Sequence, residues 1–200
     1  MDIIQIIEIF AFVTGIIYIV LEIGQKNSMW AVGILTGVAC SYSFAVQHLW
    51  ASMGLNVYYV AMSVWGLYQW RRAGEALSAE NPDGATIHLA KPGKTVLLWS
   101  VVLMVIGTAG MIALLRALGD SSTVLDAVVA VMSAIGTWWL AKSYPQQWLI
   151  WIVADILSTV LCLVSGMYWM AVLYLAYTLS AIYGYWHWTK NGRYINTNKL

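Results

Sequence analysis

Four residues in one apolar stretch have types and spacing suited to holding a flat cation. Trp148, Trp151, Asp155 and Ser158 stand at i, i+3, i+7 and i+10, so on a helix they share one face. Indole faces attract cations by about 0.5–2 kcal/mol, and a carboxylate beside them complements a positively charged ring. The surrounding run puts Asp155 near the middle of a membrane crossing, where an ionised carboxylate is costly unless it is paired or wetted. The plainer alternative has Trp148 anchored at the interface and Asp155 paired with a neighbouring Tyr or Asn.

Two further stripes add polar groups. Asn56, Tyr59 and Ser63 fall at i, i+3 and i+7 in one apolar run, and Tyr174 and Tyr177 take matching places in another. Together they read as the lining of a path, although each alone suits a helix-to-helix bond. Glu8 and Asp126 lie near helix ends, where solvated carboxylates are ordinary. Trp65, Tyr68, Trp70, Tyr183, Tyr185, Trp186 and Trp188 crowd two helix ends, and an interfacial aromatic belt accounts for most of them.

Other chemistries are missing their parts. Gly93-Lys94-Thr95 resembles the end of a P-loop, but His88 stands where its first glycine is required. His48, His88 and His187 have no metal-ligand spacing, and Cys40 and Cys162 sit singly in apolar runs. No catalytic residue, metal site or cofactor is expected. A retinal protein needs a lysine in its last helix, and residues 168–188 contain none.

The elements that position these residues are set by composition. Of 200 residues, 61% are hydrophobic and 10% charged, against about 25% charged in a soluble domain. Most of the surface must therefore face lipid. The net charge of +1 offers no basic stripe for nucleic acid. Apolar runs near 3–23, 29–47, 51–70, 95–116, 123–141, 146–164 and 168–188 are each long enough to cross about 30 Å of hydrocarbon. The acidic start, MDIIQIIEIF, differs from a secretory signal, so the first run reads as a retained helix. Residues 71–94, with Pro82, Gly84, Pro92 and Gly93 as breakers, read as an exposed loop.

Seven spans place Lys26, Arg71, Arg72, Lys91, Lys94, Lys142, Lys190, Arg193 and Lys199 on one side and Arg116 alone on the other. That bias predicts an external N-terminus and a cytoplasmic C-terminus. The chain also matches itself at a shift of 118 residues. Trp30 falls on Trp148, Tyr59 on Tyr177, Gly66 on Gly184 and Trp70 on Trp188, without a gap. Four helices separate equivalent elements, so both copies point the same way. The expected fold is all-α, a parallel 3+1+3 repeat of seven transmembrane helices. Residues 1–70 form the first copy, 71–122 a cytoplasmic loop and linking helix, 123–188 the second copy, and 189–200 a cytoplasmic tail. In this register Trp151 and Asp155 replace Gly33 and Gly37, a close-packing G-x-x-x-G. One copy uses that face for packing, and the other fills it with stacking and charged groups.

The stretch Trp148-x-x-Trp151, a polar group four residues later and then Gly166-x-Tyr168 resemble the Pnu vitamin transporters. So does ASMGLNVYYVAMSVWGLYQW at 51–70, which is similar to that family's third-helix signature. The resemblance spans nearly the whole chain. It implies a SWEET-like fold in a bacterial cytoplasmic (inner) membrane, a homotrimer, and facilitated diffusion made directional by phosphorylation of the vitamin inside the cell. It also implies that Trp148 and Trp151 hold a nicotinamide ring. Riboside carriers of the family have Asn at position 155, Gln at 56 and Asn at 63, so this chain's Asp155, Asn56 and Ser63 do not reproduce their amides. The expected cargo is a cationic vitamin, nicotinamide riboside first, with thiamine the alternative and neutral riboflavin third. The rival from another class is a structural membrane protein that uses its helices only for packing.

Overall fold

The computed structural model describes residues 3–80, 86–117 and 124–195, without the side chains of Ile4, Gln5, Glu8, Glu80 and Trp169. Within them lie seven helices: α1 (Ile3–Ile23), α2 (Ser28–Val46), α3 (Trp50–Glu80), α4 (Lys94–Ala117), α5 (Val124–Ala141), α6 (Gln147–Val164) and α7 (Tyr168–Asn191). Four of them, α2, α4, α5 and α6, are long and apolar enough by composition to cross a membrane. Leu98, Trp99, Val101, Val105 and Ile106 of α4 lie exposed, as do Ile9, Phe12, Val13 and Val20 of α1. An outer surface of this kind suits lipid and would be a liability in water.

Helix ends follow one device used four times. Gln25, His48, Ser143 and Gly166 all have positive φ, at 48°, 58°, 58° and 74°. After each, the chain closes a Schellman motif. At His48, its N–H donates to Ala45 and that of Leu49 to Phe44; at Gly166, the same pair runs to Leu163 and, from Met167, to Cys162. Gln25 with Lys26 and Ser143 with Tyr144 repeat the pattern. Each turn therefore recurs 118 residues along the chain.

The core recurs at the same spacing. A Cβ on Gly66 would lie 2.5 Å from the Trp30 ring, and one on Gly184 2.6 Å from the Trp148 ring, so only glycine admits these indoles. Trp30 meets Trp70 edge-on at 5.0 Å, and Trp148 meets Trp188 edge-on at 5.5 Å. The Trp70 indole N–H donates to the Leu140 carbonyl at 3.1 Å, and that of Trp188 to the Glu22 and Ile23 carbonyls at 3.2 and 3.0 Å. Each triplet of helices thus ties into the other by the same bond. Trp70 and Trp188 are buried, so these two leave the expected aromatic belt, while Tyr68, Tyr183 and Trp186 remain exposed as a belt requires. In each triplet the middle helix, α2 or α6, packs on both its neighbours; α3 packs on α5, α1 on α7, and α4 on α5.

Two expectations are corrected. Helix α3 runs ten residues beyond 70, because Ala73 and Leu77 continue the buried face of Trp70 at i+3 and i+7 and RRAGEALSAE is rich in helix formers. The segment expected as exposed loop is buried at Ile87–Ala90. There β1 (Ile87–Leu89) pairs in parallel with β2 (Gly192–Tyr194), a short two-stranded addition to the helical fold. The His88 N–H donates to Gln25 Oε1 at 2.7 Å, and Gln25 Nε2 donates to the His88 carbonyl at 2.9 Å. Ser143 Oγ lies 2.9 Å from His88 Nδ1, and the Ala90 N–H donates to the Ser143 carbonyl. This strap grips two of the four left-handed turns, those of Gln25 and Ser143, one from each triplet.

Candidate functional site

Between the triplets lies a cavity of about 380 Å³. Its walls come from α1, α2 and α3 on one side and α5, α6 and α7 on the other. All nine expected residues line it: Asn56, Tyr59, Ser63, Trp148, Trp151, Asp155, Ser158, Tyr174 and Tyr177. Many lining positions are 118 apart, among them Gly15 with Ser133, Asn56 with Tyr174, Tyr59 with Tyr177 and Ser63 with Ala181. The cavity is thus lined by positions that the 118-residue match pairs, one from each triplet.

The two indoles differ in what their packing leaves free. Trp148 is 2% exposed, pressed against Gly184 and Trp188, and is held as part of the wall. Trp151 is half-buried, with its ring 3.3 Å from where a Gly136 Cβ would stand. Among the described residues neither indole N–H has a hydrogen-bond partner. On the opposing face α2 comes close: a Cβ on Gly33 would lie 2.9 Å from Ser63 Oγ, and one on Gly37 2.7 Å from Val60. The small residues of one copy pack as expected, while Trp151 and Asp155 occupy the equivalent places in the other.

Asp155 is buried in the wall, and among the described residues its carboxylate forms no hydrogen bond. Asn56 turns its Nδ2 back to the Ser52 carbonyl at 2.9 Å, and Ser158 its hydroxyl to Ala154 at 2.9 Å. Tyr174 and Tyr177 stand edge-to-face at 6.1 Å. Asp126 lies in the first turn of α5, takes part in an interaction and does not line the cavity; the Glu8 side chain lies outside the described residues.

Sequence reasoning missed a second carboxylate. Glu22 lines the cavity from the end of α1, is buried, and accepts a bond from Gln147 Nε2 at 3.2 Å. A signal for it existed: Thr14, Tyr18 and Glu22 recur every four residues, so they share a helix face, and all three line the cavity. Among the described residues the lining holds two carboxylates and no Lys, Arg or His. Such a chamber offers aromatic faces and negative charge, and fits a planar cation that can also donate hydrogen bonds.

Residues 5–190 match the model of a family described as nicotinamide mononucleotide transporter. The chain belongs to this family. It is 29% identical to the nicotinamide riboside transporter PnuC of Haemophilus influenzae, over 89% of this chain and 76% of that protein. Against the riboflavin/roseoflavin transporter RibM of Streptomyces davaonensis it is 22% identical, over 88% of this chain and 81% of that one. A crystal structure of the vitamin B3 transporter PnuC superposes with a TM-score of 0.69 at 29% identity, covering 90% of this chain and 79% of the other. The resemblance to the Pnu transporters is thereby borne out. These relatives are transporters and not enzymes, and family membership with several membrane-capable helices makes this a multi-pass membrane protein.

Proposed function

We propose that the chain carries nicotinamide riboside across the bacterial inner membrane by facilitated diffusion, with phosphorylation in the cytoplasm trapping the product. The observation that carries this reading is the shared chamber of Trp151, Asp155 and the tyrosines, which presents π faces and carboxylates without a competing base. The pyridinium of a nicotinamide riboside stacks on an indole and is complemented by a carboxylate. Relatives named for that substrate support it. Alternating access about the central cavity follows if the protein is a parallel 3+1+3, SWEET-like repeat, a reading supported by turns, glycine–tryptophan contacts and indole bonds that recur at 118 residues. The strap end, where the basic residues cluster, then faces the cytoplasm and the N-terminus faces out. A homotrimer is the assembly the family resemblance implies.

Thiamine is the second reading, favoured by Asp155 itself: a carboxylate can accept bonds from an aminopyrimidine where an amide would serve less well. Tryptophan-fluorescence titration with nicotinamide riboside, thiamine and riboflavin ranks the three, and uptake into proteoliposomes without ATP tests transport. Quenching by nicotinamide riboside with saturable, ATP-independent uptake is expected. If none of the three quenches, the vitamin assignment is wrong. A Trp151→Ala protein that unfolds, with no ligand effect in milder variants, favours the structural rival.

A further inference from the structure

The cavity ends, on the side of the strap, at a polar contact between the triplets. Glu22 closes α1 and Gln147 opens α6; Gln147 Nε2 donates to Glu22 Oε1 at 3.2 Å. Gln147 is fully buried, and among the described residues its Oε1 has no partner. Asp155 stands eight residues further along α6, about 12 Å deeper at 1.5 Å per residue.

The internal match shows what packing alone requires at this place. A shift of 118 sets Glu22 on Leu140 and Gln147 on Met29. Both mates are fully buried in one apolar cluster. An aliphatic pair thus fills the equivalent corner, whereas the Glu22–Gln147 pair takes a carboxylate out of water and leaves an amide oxygen unsatisfied, which apolar packing would avoid.

We propose that Glu22 and Gln147 form a second station for the organic cation, on the strap side of Asp155, used after the central site and before release. The proposal rests on the transport reading above. A cation bearing N–H or O–H groups replaces Gln147 on the Glu22 carboxylate and supplies the donor that Gln147 Oε1 lacks. In doing so it exchanges a bond between the triplets for bonds to the cargo, and the strap-side floor of the cavity loosens. Two weaker stations also let a cation leave where one tight carboxylate would retain it.

The test compares wild type, Glu22→Gln, the double variant Glu22→Leu/Gln147→Met and Asp155→Asn. Binding is read by tryptophan fluorescence with nicotinamide riboside and thiamine, and transport by uptake into proteoliposomes. The double variant copies the apolar pair of the other triplet and is expected to melt no lower than wild type. It and Glu22→Gln should transport at least about tenfold more slowly than wild type while losing less binding than Asp155→Asn, whose defect should lie in binding itself. Wild-type uptake by both Glu22 variants overturns the second station. So does a binding loss in Glu22→Gln equal to that of Asp155→Asn, which would merge Glu22 into the central site. Wild-type protein that binds neither cation overturns the transport reading, and this proposal with it.

Discussion

Asp155 and Trp151 stand where the other triplet has Gly37 and Gly33, so their side chains add to the cavity what packing does not demand. Asp155→Asn keeps the shape and removes the charge. It should weaken nicotinamide riboside by about tenfold, or 1.4 kcal/mol, and leave neutral riboflavin unchanged in the same fluorescence titration. The two indoles should separate cleanly. Trp151→Ala is expected to reduce ligand binding with a modest fall in Tm, because that ring is only half-buried. Trp148→Ala removes a wall held against Gly184 and Trp188 and should cost about 3–5 kcal/mol of stability. Gly184→Ala and Gly66→Ala press a methyl into equivalent indoles and should each destabilise by about 1–3 kcal/mol, read as matched Tm losses in detergent. The expected site residues were legible because tryptophans, tyrosines and a carboxylate in an apolar run are unusual enough to stand out. Glu22 was not, since a carboxylate at a helix end reads as solvated until its neighbour across the bundle is known.

Among the elements, the strap changes most between sequence and structure. Its residues 86–90 have neither the length nor the periodicity of a transmembrane helix, and the breakers around them read as loop. What buries them is backbone pairing, with β2 on one side and with the Gln25 side chain and Ser143 carbonyl on the other. Gln25→Ala leaves the His88 N–H and C=O unpaired and should cost about 1–3 kcal/mol for each group. Burial also pushes the His88 imidazole from 6.5 down to about 4. A base whose folded pKa is depressed stays neutral when folded and takes up its proton more readily when unfolded. The strap's contribution is therefore complete above pH 6.5 and declines as pH falls from there towards 4. A pH series of melting curves should show wild type losing Tm over that window, with a flatter response in His88→Asn. Helix boundaries, by contrast, were readable to within a residue or two for five helices, because a hydrophobic run announces its own length. Helix α7 runs three residues past the expected 188, and α3 ten past 70, where Ala73 and Leu77 hold a face that polar neighbours disguise.

At the scale of the molecule, two triplets of helices exchange equivalent bonds across one cavity, and α4 packs on α5 outside it. If the strap end is cytoplasmic, a cysteine placed at His48 should react with an impermeant thiol reagent from outside intact cells, and one at Lys142 only after permeabilisation. The reverse pattern would invert the proposed orientation. Length of apolar runs, alternation of basic loops and self-similarity at 118 residues are properties of the chain itself. From them the sequence alone determined seven helices, most of their bounds and the face where the two matching stretches differ. These readings succeed because each depends on neighbours within a few turns or on direct comparison of one stretch with another. Only the tertiary structure decided that Glu22 meets Gln147, that Gln25 and Ser143 hold His88 between them, and that Trp148 is wall while Trp151 is accessible. Those contacts join residues many helices apart, and two of their turns use Gln25 and Ser143 where glycine would have signalled a left-handed backbone. Local periodicity carries no record of such partners, because the energy that selects them exists only once the helices have packed.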